Sequence, residues 1–146
     1  MKITDAFLGE HAVFYAQFDH MEQFIPMATS VEQVKTQGEM LKSALASHAY
    51  LEEELLFKNL ELHIGPMGPL AVMRSEHDQI ERSLENLPGT QDLAQAQTLL
   101  LRVIEIARNH FAKEEQILYP LARKTLTPEM LSDLGTQWAK QRSVRL

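Results

Sequence analysis

The chain has 146 residues, 45% of them hydrophobic, with six glycines, six prolines, no cysteine and a formal charge of −6. That fits a single domain, residues 1–146, with one sizeable core, and its acidic balance excludes a nucleic-acid phosphate binder. Without cysteine there is no disulfide, thiolate metal site, iron–sulfur cluster or cysteine nucleophile, so any metal must be held by imidazole and carboxylate.

The segment Met1–Asp5 has no apolar signal core, and no stretch reaches the length of a membrane span without a charge. A soluble, cytoplasmic protein with neither a membrane nor a nucleic-acid partner is expected. The first helix is predicted from about Thr4 to Phe24, with Phe7, Leu8, His11, Phe14, Tyr15 and Phe18 on one face and Pro26 at its exit. Ser30 reads as the cap of a second helix, with Gln33 as its capping-box partner. That helix runs to about Glu61 with Val34, Leu41, Leu45, His48, Glu52 and Leu55 in its stripe. Gly65-Pro66-Met67-Gly68-Pro69 is a break. The third helix, about Pro69 to Asn86, carries Leu70, Met73, His77, Ile80 and Leu84. Pro88-Gly89 ends it, and Thr90 is expected to cap a fourth helix. Leu99, Val103, Ile106, His110, Glu114, Ile117 and Leu121 lie in one row there, and Pro120 should kink the last turns.

Thr127-Pro128-Glu129 is a second helix start, with a cap, a proline at the first position and an acid in the first turn. It opens a short fifth helix over about residues 128–140 with Met130, Leu131, Leu134 and Trp138. Such a helix either covers one end of the molecule or makes a homodimer contact, and Lys140–Leu146 is expected to fray. Long amphipathic helices with short links read as an all-α, up-down-up-down antiparallel four-helix bundle over about residues 4–124, followed by this fifth helix.

Polar residues interrupt the apolar stripes at His11, His48, Glu52, His77, His110 and Glu114. Each glutamate follows a histidine by one helical turn, so the pairs His48/Glu52 and His110/Glu114 share a face, about 6 Å apart along the axis. In an up-down-up-down bundle, counting residues from the helix ends brings all six groups to one depth. Two buried carboxylates need positive compensation, and no lysine or arginine falls in the stripes at that level. A metal pair would use every group, and imidazole with carboxylate suits iron, manganese or zinc. The chain also repeats itself: Glu10-His11 and His48-x-x-x-Glu52-Glu53 recur as Glu76-His77 and His110-x-x-x-Glu114-Glu115, which implies approximate two-fold symmetry about the pair.

Four of these stripe positions could each be a core histidine held by hydrogen bonds, and the competing structure is a polar network in a metal-free bundle. His20 lies on the opposite face from His11, and His63 lies beyond the second helix, so neither is a ligand candidate. Glu53 and Glu115 turn away from their histidines towards solvent or the back of the site. Glu10 and Glu76 are either surface acids or groups that orient an imidazole or swing in as ligands. Met73 reads as core packing.

The ordered set His11, His48-x-x-x-Glu52, His77, His110-x-x-x-Glu114, with Glu53-Glu54-Leu55-Leu56-Phe57 and the run from His110 to Pro120, resembles the hemerythrin-like (HHE cation-binding) family over residues 4–124. The resemblance implies two iron ions joined by an oxo or hydroxo bridge, reactive towards dioxygen. His11, His48, His77 and His110 would be terminal ligands, and Glu52 and Glu114 bridging carboxylates. Three departures stand out. Met73 occupies the place of a second third-helix histidine found in oxygen carriers, Glu114-Glu115 replaces a pattern ending in aspartate, and Lys58 stands where many relatives have proline. The missing histidine leaves an open position on each metal, which Tyr15, Glu10 or Glu76 could fill. Tyr15, one turn after His11, could also donate a hydrogen bond to a bound oxygen species. The expected function is binding or sensing of dioxygen, peroxide or nitric oxide, or peroxide breakdown. The alternative is a non-enzymatic iron-handling or redox-sensing module that acts on a protein partner through the fifth helix.

Overall fold

In the computed structural model, which describes residues 1–146, helix α1 (Ile3–Phe24) is followed by a 3₁₀ turn (Ile25–Met27) containing Pro26. Helix α2 spans residues 31–64 in three parts: an α-helix Val31–Leu51, a π-helical segment Glu52–Phe57 and a final α-helix Lys58–Ile64. Ser30 caps it, accepting from the Gln33 amide, while the Gln33 side chain accepts from the Thr29 amide instead of completing a box with Ser30. Gly65 and Gly68 both have positive φ, 80° and 68°, in the turn before helix α3 (Pro69–Glu85). That backbone is closed to most side chains.

Helix α4 likewise has three parts: an α-helix Leu93–Lys113, a π-helical segment Glu114–Leu118 and an α-helix Tyr119–Thr125. Its cap is Asp92, whose carboxylate accepts from the Gln95 amide at 2.9 Å, and not Thr90. Asp92 directly precedes the first helical residue, where its charge also meets the positive end of the helix. Thr90 donates to Asn86 O and closes off α3. Just before Pro120 the helix carries a π-bulge, with the Tyr119 amide bonding back to Glu114 O. Helix α2 makes the same bulge with Lys58 in the equivalent place, so proline is not its cause.

The apolar core falls into two clusters. One holds the later half of α1, the first half of α2, the end of α3 and the first half of α4, around Phe14, Phe18, Leu41, Ile80, Leu84 and Phe111. The other holds the opposite ends, around Phe7, Leu56, Phe57, Leu60, Leu70, Met73, Leu118 and Tyr119. This pairing of helix starts with helix finishes is the up-down-up-down order. Met73 is buried core in the second cluster.

Helix α5 (Pro128–Gln141), capped by Thr127, closes that second end and lies along α1. Its Leu131 and Leu134 join the second cluster, so its apolar face is used within the chain. Of the residues expected to fray, those up to Val144 are bonded. Ser143 adopts a left-handed φ of 56°, its amide reaches Lys140 O, and the Val144 amide reaches Ala139 O, the two bonds of a Schellman helix end. No helix is long and apolar enough to cross a membrane.

Candidate metal centre

Between the two apolar clusters lies a polar layer. His11 comes from α1, His48 and Glu52 from α2, His77 from α3, and His110 and Glu114 from α4. Five of these are fully buried, and the His77 side chain is 17% exposed. Their donor atoms form two overlapping groups, His11/His48/Glu52/Glu114 and His77/His110/Glu52/Glu114, each with all atoms within 4.8 Å of one another. Both carboxylates belong to both groups, and each half of the sequence supplies the histidines of one group. His48 Nε2 and His77 Nε2 each lie 3.3 Å from Glu52 Oε2. His11 Nε2 and His110 Nε2 lie 3.3 and 3.2 Å from the two oxygens of Glu114.

A ring of outer carboxylates sets which nitrogen of each imidazole faces inward. His48 Nδ1 donates to Glu10 at 2.5 Å, His110 Nδ1 to Glu76 at 2.9 Å and His11 Nδ1 to Glu115 at 2.9 Å. A carboxylate only accepts, so Nδ1 carries a proton and Nε2 is the nitrogen turned into the layer, the orientation of a ligating histidine. The His11 and His48 Nε2 atoms then face each other at 3.2 Å, two lone pairs that repel unless a cation or a proton lies between them. Glu52 Oε2, His110 Nε2 and both oxygens of Glu114 are buried without any hydrogen-bond partner. Buried polar atoms are seldom left so, and a cation bound between them would satisfy all four. The residues present therefore fit a metal pair.

The fourth place in this ring is broken. Glu53 stands to His48 as Glu115 stands to His110, so symmetry would have Glu53 hold His77 Nδ1. Arg74 takes it instead, donating to both Glu53 oxygens at 2.8 and 3.0 Å and pairing with Glu61. His77 is held by stacking on Phe57, with ring centres 5.6 Å apart and planes within 9°.

Glu10, Glu76 and Glu115 therefore all bind the outer nitrogens of ligand-type histidines, and none points into the layer. Tyr15 is turned away as well, donating to Glu115 at 3.1 Å. The tyrosine at the layer is Tyr119, which sequence reasoning missed. It is buried, donates to Glu52 Oε1 at 2.6 Å and lies 3.1 Å from His11 Nε2. Five residues of α-helix would turn Tyr119 about 140° from Glu114; the π-segment changes that phase. Sequence reasoning also missed the links from Glu10 to Trp138 and Arg142. His20 and His63 are exposed and take no part.

The electrostatics express the crowding of charge. Burial pushes the Glu114 carboxyl up to about 7, with the Glu52 charge adding to it. Burial acts likewise on Glu52, but His48 and His77 outweigh it and hold that carboxyl well below its ordinary value. Burial would lower His48, yet Glu52 and Glu10 raise it to about 10. Burial, followed by the charges of Glu52 and Glu114, raises the Tyr119 phenol well above its ordinary value, so it remains a donor. Beside the layer a cavity of about 340 Å³ opens between α2 and α3, walled by Leu45, Ile80 and Leu84 and reaching His48, His77 and His110.

The family model described as "Hemerythrin HHE cation binding domain" matches residues 2–129. The chain is 31% identical over 145 residues to the iron-sulfur cluster repair protein YtfE of Enterobacter sp. (strain 638), an alignment covering 79% of this chain and 66% of that protein. It is 29% identical over 140 residues to YtfE of Escherichia coli O139:H28, covering 77% and 64%, and to YtfE of E. coli K12 (DH10B) by the same measures. The chain thus spans just under two thirds of the length of these relatives. No solved structure matches it.

Proposed function

Because the chain belongs to the hemerythrin HHE cation-binding domain family, we propose that the polar layer holds two iron ions and serves a reaction with dioxygen, peroxide or nitric oxide. One ion would take His11 and His48, the other His77 and His110, with Glu52 and Glu114 shared. The observation that carries this reading is the overlap of the two donor groups on the same two carboxylates. When bound, an iron pair supplies Lewis acidity and electrons to a small ligand.

The chain's own residues supply the rest. Glu10, Glu76 and Glu115 hold Nδ1–H of their histidines and aim Nε2 inward. Tyr119 occupies Glu52 Oε1 and leaves Oε2 turned to His48 and His77. The cavity between α2 and α3 would give a small molecule a path to the His77 side, and Arg74 holds Glu53, one of its lining residues. Manganese or zinc would suit the same donors.

The test is metal analysis after loading with ferrous iron under nitrogen, followed by air oxidation. The expected result is about two irons per chain and a ferric-pair absorption that bleaches on reduction and returns with oxygen; a single iron per chain would sink it. Oxygen evolution on adding hydrogen peroxide would then mark a peroxide-degrading enzyme.

The relatives' name favours a second reading, an iron-handling module that acts on the cluster of a partner protein. With no cysteine of its own, the chain would deliver or accept iron and not hold the cluster by thiolates. Iron transfer from the loaded chain to a cluster-free acceptor, without peroxide turnover, is its expected signature.

A further inference from the structure

Each outer carboxylate is itself held, and the holders differ. Glu115 is held by Tyr15 of α1, and Glu76 by Lys113 of α4, both inside the four-helix bundle. Glu10 is held from α5. Its Oε2 accepts from His48 Nδ1 at 2.5 Å, while Oε1 accepts from Trp138 Nε1 at 2.8 Å and from Arg142 Nε at 2.7 Å. Arg142 also donates through Nη1 to Ser47 Oγ at 2.5 Å, beside His48 in the chain, and so spans α1 and α2. The Schellman end at Ser143 and Val144 fixes where Arg142 leaves the helix. Trp138 and Arg142 lie beyond residue 129, where the family match ends.

We propose that Trp138 and Arg142 position the His48 imidazole through Glu10, so that docking of α5 and occupancy of the metal centre are coupled. This rests on the metal-binding reading above. Glu10 has two oxygens and no slack. If α5 lifts, Oε1 loses two charge-assisted donors, and the carboxylate that orients His48 is free to turn. If a metal fixes His48, Glu10 is fixed with it and presents Oε1 to α5. The coupling is reciprocal by linkage. The C-terminal helix is therefore the element through which the state of the centre reaches the surface, and Trp138, the only tryptophan in the chain, reports it.

The experiment titrates the full-length chain with ferrous iron under nitrogen while Trp138 emission is followed, and measures amide exchange of residues 128–144 with and without iron. Arg142→Ala is expected to weaken iron binding about ten-fold, the usual cost of losing a group that orients a ligand. Trp138→Phe should weaken it in the same direction, and Arg142→Lys, which keeps the charge but not the fork, by an intermediate amount. Loading should slow exchange in residues 128–144 of the wild type and shift Trp138 emission. Arg123→Ala is the control, since Arg123 ties α4 to Thr4 and Asp5 away from the layer; it should leave iron affinity unchanged.

Unchanged affinity in Arg142→Ala overturns the proposal, as does an equal loss in Arg123→Ala, which would mark a merely structural role. A wild-type chain that takes up no stoichiometric iron sinks the metal reading and the coupling with it. A wild type that loads about two irons, and is weakened by His48→Ala but not by Arg142→Ala, sinks the coupling alone.

Discussion

At the scale of single residues, the layer is organised by which atom of each side chain is already occupied. An outer carboxylate takes Nδ1, Tyr119 takes Glu52 Oε1, and what remains unpaired points inward. Tyr119→Phe removes a buried hydrogen bond to a charged group, so urea unfolding of the metal-free protein should show a loss of about 2 kcal/mol. Protonation follows the same logic. Without metal, Glu114 holds its proton up to about pH 7 and His48 up to about pH 10, and both must release it to serve as ligands. Calorimetry of metal loading in buffers of different ionisation enthalpy should find about two protons released per chain near pH 6. The number should fall to about one near pH 8, where Glu114 is already ionised. A release that rises with pH would contradict the assignment.

At the scale of elements, the two π-segments begin at Glu52 and Glu114, the carboxylates common to both donor groups. A π-bulge inside an α-helix is uncommon and is found mostly at functional sites. Helix α5 is the other element whose placement matters, and one glycine lets it approach. A Cβ on Gly135 would stand 2.1 Å from Met1 O and 3.2 Å from the Ile3 amide nitrogen, both backbone atoms. Gly135→Ala should therefore destabilise the protein by about 1–3 kcal/mol, since the start of α1 or the whole of α5 must move. Gly9, in the middle of α1 with nothing within 4 Å of its added Cβ, is the counterpart. Gly9→Ala should stabilise by about 0.5–1 kcal/mol, and urea midpoints of the two variants should move in opposite directions.

At the scale of the whole molecule, the polar layer divides the core into two apolar clusters. Each metal ion that binds the folded chain alone stabilises it by about 4 kcal/mol at a thousand-fold excess over its dissociation constant, so a pair raises the melting temperature by roughly 20 °C in a chain of this size. Chelation should lower the melting temperature by that amount. Glu114→Gln should abolish most of the difference, while leaving the metal-free form as stable as the wild type or more so, because the buried carboxylate pair is gone. Equal melting temperatures with and without metal in the wild type would favour the metal-free polar network.

Helical periodicity alone was enough to read the bundle, its order and the six inward polar positions, because an α-helix repeats every 3.6 residues and the stripes are long. The internal repeat made the two-fold relation of His48/Glu52 to His110/Glu114 legible in the same way. Tertiary structure decided the rest. Glu115 serves His11 from another helix, Arg74 takes Glu53 from His77, and Glu10 reaches both His48 and the end of α5. These contacts join residues far apart in the chain, and no spacing encodes them. Tyr119 was hidden for a related reason, since a π-turn shifts the angular phase on which periodicity depends. The sequence by itself determined which groups face inward; only the packed chain decided which of their atoms remain free to bind.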